Sequence, residues 1–206
     1  MALYAHDGSY SISFDGQELM HSDACASERL MGDLGVERLG DVVDARVLIG
    51  GLGLGFTLRK VIAVLGPEAH IEVAELVPEV IEWNQSHLSE LNGELLSVAG
   101  VEVKVADVCE LIRNADRVYD SIIIDVDNGP FAMVADSNAS LYSLTGLRRI
   151  WAALKPQGRV VFWSAKPDIA FEQKLKRIGF AVKKVPAKVH ERAKRAAYML
   201  YVADRD

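Results

Sequence analysis

From Ala45 onward, short apolar runs alternate with stretches whose apolar residues recur about every three to four positions. "ARVLI" reads as a strand, and Leu58, Val61, Ile62 and Leu65 then mark one face of a helix that stops at Gly66-Pro67. "HIEVAE" is a second strand. Pro78 suits the first turn of a helix carried on by Val80, Trp83, Asn84, His87, Leu88 and Leu91. "VEVKVAD" predicts a third strand, followed by a short helix around Glu110–Asn114. "YDSIIIDVD" predicts a fourth, apolar throughout its middle as a strand covered on both faces should be. Leu147, Ile150, Trp151 and Leu154 mark a helix closed by "KPQG", before a fifth strand at "RVVFWSA". Phe171, Leu175 and Ile178 give a helix ending at Gly179, and "FAVKKVPA" and "AAYMLYVAD" follow as strands with no helix between them. Trp83, Trp151 and Trp163 all fall at core-type positions of this pattern.

Strand–helix alternation predicts a doubly wound, mostly parallel α/β sheet of Rossmann-like type. Closing on two consecutive strands predicts an antiparallel pair at one edge, an ending of methyltransferase-type folds that is unusual in nicotinamide-binding ones. Residues 1–44 have a different pattern. "YSISFDGQELMHS" alternates around Asp15-Gly16, which suits a small strand pair, and "DACASERLMGDLG" reads as a short helix capped by Asp23 and stopped near Gly35. The expected division is a hairpin-and-helix appendage over 1–44 that covers the site, and a nucleoside-binding domain over 45–206. The appendage belongs over the carboxyl ends of the strands, where an open α/β sheet keeps its ligand crevice.

The chemistry-bearing residues cluster at those strand ends. Gly51, Gly53 and Gly55 occupy the first strand-to-helix turn, where missing Cβ atoms let a ligand approach the main chain. The strict nicotinamide fingerprint is broken, because Phe56 stands where its third glycine would be. Glu75 ends the second strand, placed to accept both hydroxyls of a ribose, although a plain surface glutamate also fits that position. Asp107 ends the third strand, either as acceptor for an adenine amino group with Leu76 and Val108 flanking the ring, or as an ordinary helix cap. Asp125 and Asp127 follow the fourth strand in "IIIDVDNGP", where Asp127 also suits a turn. Together these outline an adenosine ligand without a demanding pyrophosphate site, best met by S-adenosylmethionine or a close sulfonium relative.

Composition narrows the class. The 206 residues are 50% apolar, enough for one sizeable core, and no apolar stretch approaches a membrane span. The start lacks the pattern of a secretory signal. Cys25 and Cys109 lack metal-type spacing, and the five histidines are scattered, so no metal is expected and a reducing cytoplasm is. The net charge of −6 hides an asymmetry: residues 1–154 balance to −14 and residues 155–206 to +8. The acidic body favours cationic small molecules over phosphates, and the basic end does the reverse unless it is simply solvated.

At these residues the chain resembles the spermidine synthase (polyamine aminopropyltransferase) family. "VLIGGLGLGFTLRK" is similar to a glycine turn such as "VLIIGGGDGGTLRE", "AELVPEVIE" to "VEIDPDVIE", and "YDSIIIDVDNGP" to "YDVIIVDSSDPxGP". "LYSLTGLRRIWAALKPQG" echoes the family's continuation, and "FDGQELMHSDACASE" more faintly its amino-terminal signature. The resemblance covers about residues 10–165 and implies a ribose glutamate at Glu75, an adenine-side aspartate at Asp107 and a catalytic aspartate at Asp125. It also implies an amine acceptor, with Gln17, His21, Glu28, Leu54 and Tyr142 as substrate-side candidates, and a homodimer. Departures accompany it. Leu54 replaces the aspartate that helps hold the amine, the fourth-strand loop is shorter so that Asp127 only approximates a second aspartate, and Ala26-Ser27 replaces a Tyr-His pair.

The expected activity is transfer of an alkyl, aminopropyl-type group from S-adenosylmethionine or its decarboxylated form to an amine, with Asp125 binding and deprotonating the acceptor and Asp127 adding negative potential that attracts it. Methyl transfer to a small molecule is the alternative, favoured by an apolar Leu54. Two further readings are a nucleic-acid modifier built on the basic stretch Lys183–Arg195 and a non-catalytic dimeric module. The scarcity of aromatic residues in that stretch argues against base stacking.

Overall fold

The computed structural model describes residues 1–126 and 138–206, and the side chains of residues 138 and 139 are outside that description. Three amino-terminal strands, β1 (Ala2–His6), β2 (Ser9–Phe14) and β3 (Gln17–His21), form an antiparallel sheet, one strand more than the alternating pattern predicts. A helical turn at Ser22–Ala24 leads into α1 (Ala26–Val36). The larger sheet is built from β4 (Arg46–Gly50), β5 (His70–Glu75), β6 (Val101–Val105), β7 (Tyr119–Ile124), β8 (Leu154–Ser164), β9 (Ala181–Ala187) and β10 (Tyr198–Asp204). Its order is β6-β5-β4-β7-β8-β10-β9, parallel from β6 to β8, with β10 inserted antiparallel between β8 and β9. The helices between are α2 (Phe56–Leu65), α3 (Pro78–Gln85), α4 (Ser89–Asn92), α5 (Val108–Asn114), α6 (Asn138–Leu141), α7 (Leu144–Ala153) and α8 (Ile169–Ile178).

The apolar pattern explains this arrangement. Leu48, Ile122, Ile124, Val160 and Phe162 face one layer of helices, while Val47, Ile49, Val73, Ile123 and Val161 face the other, and all are buried. With both faces covered, the central strands have little room for polar residues. The strand order reverses between β4 and β7, and an open sheet of this kind places its crevice beyond the strand ends at that reversal.

Several boundaries depart from the sequence pattern. The helix opened by Pro78 ends at Gln85, and a separate turn carries Leu88 and Leu91, leaving His87 exposed. Asp23 does not cap α1: the cap position is Cys25, with no side-chain hydrogen bond. Gly35 lies inside α1, where a Cβ would press within 2.7 Å of Ile123 Cγ1, so this glycine permits close packing on β7 and does not stop the helix. Leu154 pairs with Tyr119 in β8 and does not extend α7. Trp83, Trp151 and Trp163 are only partly buried.

The helix α1 is packed into the sheet layer. Met31, Leu34 and Val36 join the core that includes Val47, Leu58 and Val161. The buried Arg159 fastens its end, donating to the Leu34 carbonyl at 2.8 Å and to the carboxylates of Glu37 and Asp204 at 2.6 Å each. A buried guanidinium with three partners is satisfied, which is the condition for keeping it there.

Candidate active site

A cavity of about 400 Å³ opens where β4, β5, β6 and β7 end, roofed by β3 and walled by α1, β8 and β10. The glycine turn is its floor. Gly51 has φ of +96°, and a Cβ there would run into the Asp125 carbonyl oxygen. Gly53, with φ of +50°, would set a Cβ within 2.8 Å of the Met20 sulfur on the overlying strand. The turn is therefore bare for two reasons, the close pass of the Asp125 main chain and the fit of the amino-terminal sheet above it. Two asparagines hold its carbonyls: Asn84 donates to Gly53 O at 2.8 Å and Asn92 to Leu54 O at 2.6 Å. Gly55 caps α2 and lies outside the cavity wall.

Glu75 is buried at the end of β5. Its Oε2 accepts from the Leu52 N–H and its Oε1 from the Val77 N–H, both at 2.9 Å. Each oxygen keeps a further acceptor site, so the carboxylate is oriented by the main chain and still able to receive two hydroxyls. Asp107 caps α5, Oδ1 accepting from the Cys109 N–H at 2.8 Å, and also lines the cavity. The capping role and the cavity-lining position therefore coexist in one side chain. Leu76 and Val108 line the same end, the first exposed and the second buried.

The opposite end is assembled from distant parts of the chain. Asp125 accepts from the Thr57 hydroxyl at 2.7 Å through Oδ2. The same hydroxyl lies 3.2 Å from the Glu28 carbonyl; with one proton to give, it favours the shorter, charge-assisted bond. Glu28 accepts from Ser27 Oγ at 2.6 Å, and burial pushes its carboxyl above the ordinary glutamate value of 4.5. Tyr198, at the start of β10, has its phenol pushed up by burial and by the charge of Glu28. Its ring packs against Trp163, centroids 4.7 Å apart, and both line the cavity. His21 closes the roof, Nδ1 accepting the Asp23 N–H at 3.1 Å, which leaves its proton on Nε2.

Among the described residues, the lining side chains include five carboxylates, Glu18, Glu28, Glu75, Asp107 and Asp125, and no lysine or arginine. Such a concentration of one sign within low-dielectric walls draws cations in. No group of His, Cys, Asp and Glu among the described residues has the arrangement of a metal site.

Three substrate-side candidates lie elsewhere. Leu54 is buried with Tyr10, Ile12, Phe56 and Leu88 beneath the amino-terminal sheet, because the glycine turn rolls it away from the cavity. Tyr142 packs edge-on against Phe171, centroids 5.4 Å apart, in the core under α7. Gln17 is exposed at the outer end of β3. Asp127 lies outside the described residues. The pattern reading missed Thr57, Trp163, Tyr198 and the two asparagines. Only Asn84 left a signal, as a polar residue at an inward position of its helix.

No family model matches the chain. It is 30% identical over 125 residues to polyamine aminopropyltransferase 2 of Hyperthermus butylicus, a match spanning 61% of this chain and 40% of that one. Polyamine aminopropyltransferase 1 of Streptomyces coelicolor is 32% identical over 128 residues, 61% of this chain and 23% of that one. The solved spermidine synthase from Thermotoga maritima superposes with a TM-score of 0.72 over 96% of this chain and 66% of its own, at 19% identity. The chain has the fold of the spermidine synthases. A spermidine synthase bound to the transition-state analogue AdoDATO superposes at 0.76, at 20% identity. Human methyltransferase-like protein 13 in complex with SAH superposes at 0.63, so this chain has the wider methyltransferase-type fold as well. The matches span well under half the length of either curated relative. No described helix is long and apolar enough to cross a membrane.

Proposed function

We propose that the chain is an aminopropyl-type transferase that takes decarboxylated S-adenosylmethionine as donor and an amine as acceptor. The observation that carries the reading is the cavity wall, which among the described residues has five carboxylates and no lysine or arginine. S-adenosylmethionine brings a carboxylate of its own, which this wall repels; its decarboxylated form brings only positive charge. That difference separates aminopropyl transfer from methyl transfer. Leu54 no longer favours the methyltransferase alternative, since its side chain is buried away from the cavity.

In this reading Glu75 receives the ribose hydroxyls, and Leu76, Asp107 and Val108 border the adenine. The sulfonium faces Asp125 across the glycine turn. The acceptor arrives as an ammonium, is held by Asp125 and Glu28, and loses its proton to a carboxylate or to water. The nitrogen lone pair then forms a bond to the aminopropyl carbon next to sulfur as the carbon–sulfur bond breaks. The electron pair goes to sulfur, and 5′-methylthioadenosine leaves as a neutral thioether. Acceleration comes mainly from in-line positioning and exclusion of water. By resemblance, the active form is a cytoplasmic homodimer, which sedimentation and localisation of the tagged chain would test. The enzymatic test is product analysis with decarboxylated S-adenosylmethionine and a panel of aliphatic amines including 1,4-diaminobutane. Release of 5′-methylthioadenosine dependent on an amine is expected; release of S-adenosylhomocysteine from S-adenosylmethionine instead would establish methyl transfer.

A further inference from the structure

The acidic cavity has a basic rim. The connection between β9 and β10 carries Lys188, Arg192, Lys194 and Arg195 against one acid, Glu191, and all five are exposed. It lies at the cavity mouth: Val189 lines the cavity and its carbonyl accepts from the Ala26 N–H at 3.2 Å, next to Ser27 and Glu28. Lys183 extends the same charge onto β9, the outermost strand. None of these five cations has a hydrogen-bond or ion-pair partner among the described residues. By contrast, Lys184 is neutralised by Glu172 at 2.8 Å.

This charge pattern conflicts with a purely cationic acceptor. A diamine is drawn by the interior and repelled by four unneutralised cations at the entrance, while its second ammonium, if it stays outside, faces that rim. An acceptor with one ammonium and one anionic end meets neither penalty. Its amine enters among Asp125 and Glu28, and its anion remains at the mouth, since among the described residues no lining lysine or arginine could receive it inside. A long polyanion is the weaker fit. The rim is one short connection whose single aromatic ring is His190, too little for a run of base stacking, and an acidic cavity opposes insertion of a phosphate chain.

Resting on the transferase reading above, we infer that the acceptor is a zwitterionic aliphatic amine, ammonium at one end and carboxylate or phosphate at the other, with the Lys188–Arg195 connection selecting the anionic end. The test is calorimetry on the full chain saturated with 5′-methylthioadenosine, titrated with 1,4-diaminobutane, 4-aminobutanoate, O-phosphoethanolamine and a short oligothymidylate. At low salt the two zwitterions should bind about tenfold more tightly than the diamine, the size expected of two or three exposed ion pairs. A tighter phosphate or carboxylate compound identifies which anion the rim takes. Replacing Lys188, Arg192, Lys194 and Arg195 together by glutamine should abolish that preference and leave nucleoside affinity in place, which also shows that the variant is folded. Equal or tighter binding of the diamine, a preference that survives the substitutions, or tighter binding of the oligonucleotide would overturn the inference. Failure of the nucleoside itself to bind would overturn the transferase reading beneath it, so the two failures are distinguishable.

Discussion

The two ends of the cavity are built in different ways. The end proposed for the nucleoside draws on three consecutive strand–helix turns, so its residues recur one turn after another between 51 and 108 and its carboxylates are oriented by main-chain groups. Glu75 is fixed by two N–H donors and Asp107 by one. The end proposed for the acceptor draws on β3, α1, α2, β7, β8 and β10, and its carboxylates are held by side-chain hydroxyls, Thr57 on Asp125 and Ser27 on Glu28. Main-chain donors persist through most substitutions, whereas a hydroxyl is lost in one step. The nucleoside end is thus the robust part of the site, and the acceptor end is where specificity can change.

Substitutions at the two ends should therefore fail differently. The largest effect is expected for Asp125→Asn, which removes the carboxylate proposed to face the sulfonium: kcat should fall about a hundred- to ten-thousandfold with nucleoside affinity nearly kept, by steady-state kinetics and calorimetry. Glu75→Gln should act at the other end, weakening 5′-methylthioadenosine about ten- to hundredfold, the size of a lost charged hydrogen-bond partner. An equal loss of nucleoside affinity in both variants would remove the distinction between the ends. Leu54→Asp tests the packing beneath the turn. It should destabilise the fold by at least the roughly 2–5 kcal/mol of a buried Leu→Ala change, and bring no gain in amine binding; denaturant titration and calorimetry read the two parts.

Smaller effects sharpen the contrast. Thr57→Val keeps the volume and removes the bond to Asp125, so kcat should fall about two- to tenfold with KM little changed. The smallest effect concerns pH. Burial raises the Glu28 carboxyl above 4.5, so its ionisation opposes folding: the contribution is intact below the unfolded value and is lost as pH rises through the raised one. Glu28→Gln should then raise Tm slightly at neutral pH, and the gain over the parent should vanish below pH 4.5. Thermal scans at the two pH values measure it.

Local periodicity was sufficient for the larger sheet because each strand–helix unit carries its own apolar face, and the glycine turn and Glu75 sit at fixed offsets within one such unit. The errors arose where distant contacts decide. Gly35 looks like a helix stop until Ile123 is seen against it, and Leu54 looks like a pocket residue until the turn is seen to roll it under the amino-terminal sheet. Trp163 and Tyr198 were read as ordinary strand residues, since nothing local distinguishes an aromatic pair that lines a cavity from one that fills a core. The rim charge was visible as a basic stretch, but its meaning depends on the hydrogen bond that ties Val189 to the start of α1.

The central claim is that an acidic cavity selects a sulfonium nucleoside carrying no carboxylate. Parallel calorimetric titrations of the full chain with decarboxylated S-adenosylmethionine and with S-adenosylmethionine test it most directly. The decarboxylated form should bind about tenfold more tightly or better, with the gap narrowing as salt is raised. Equal affinities, or a preference for S-adenosylmethionine, would contradict the account.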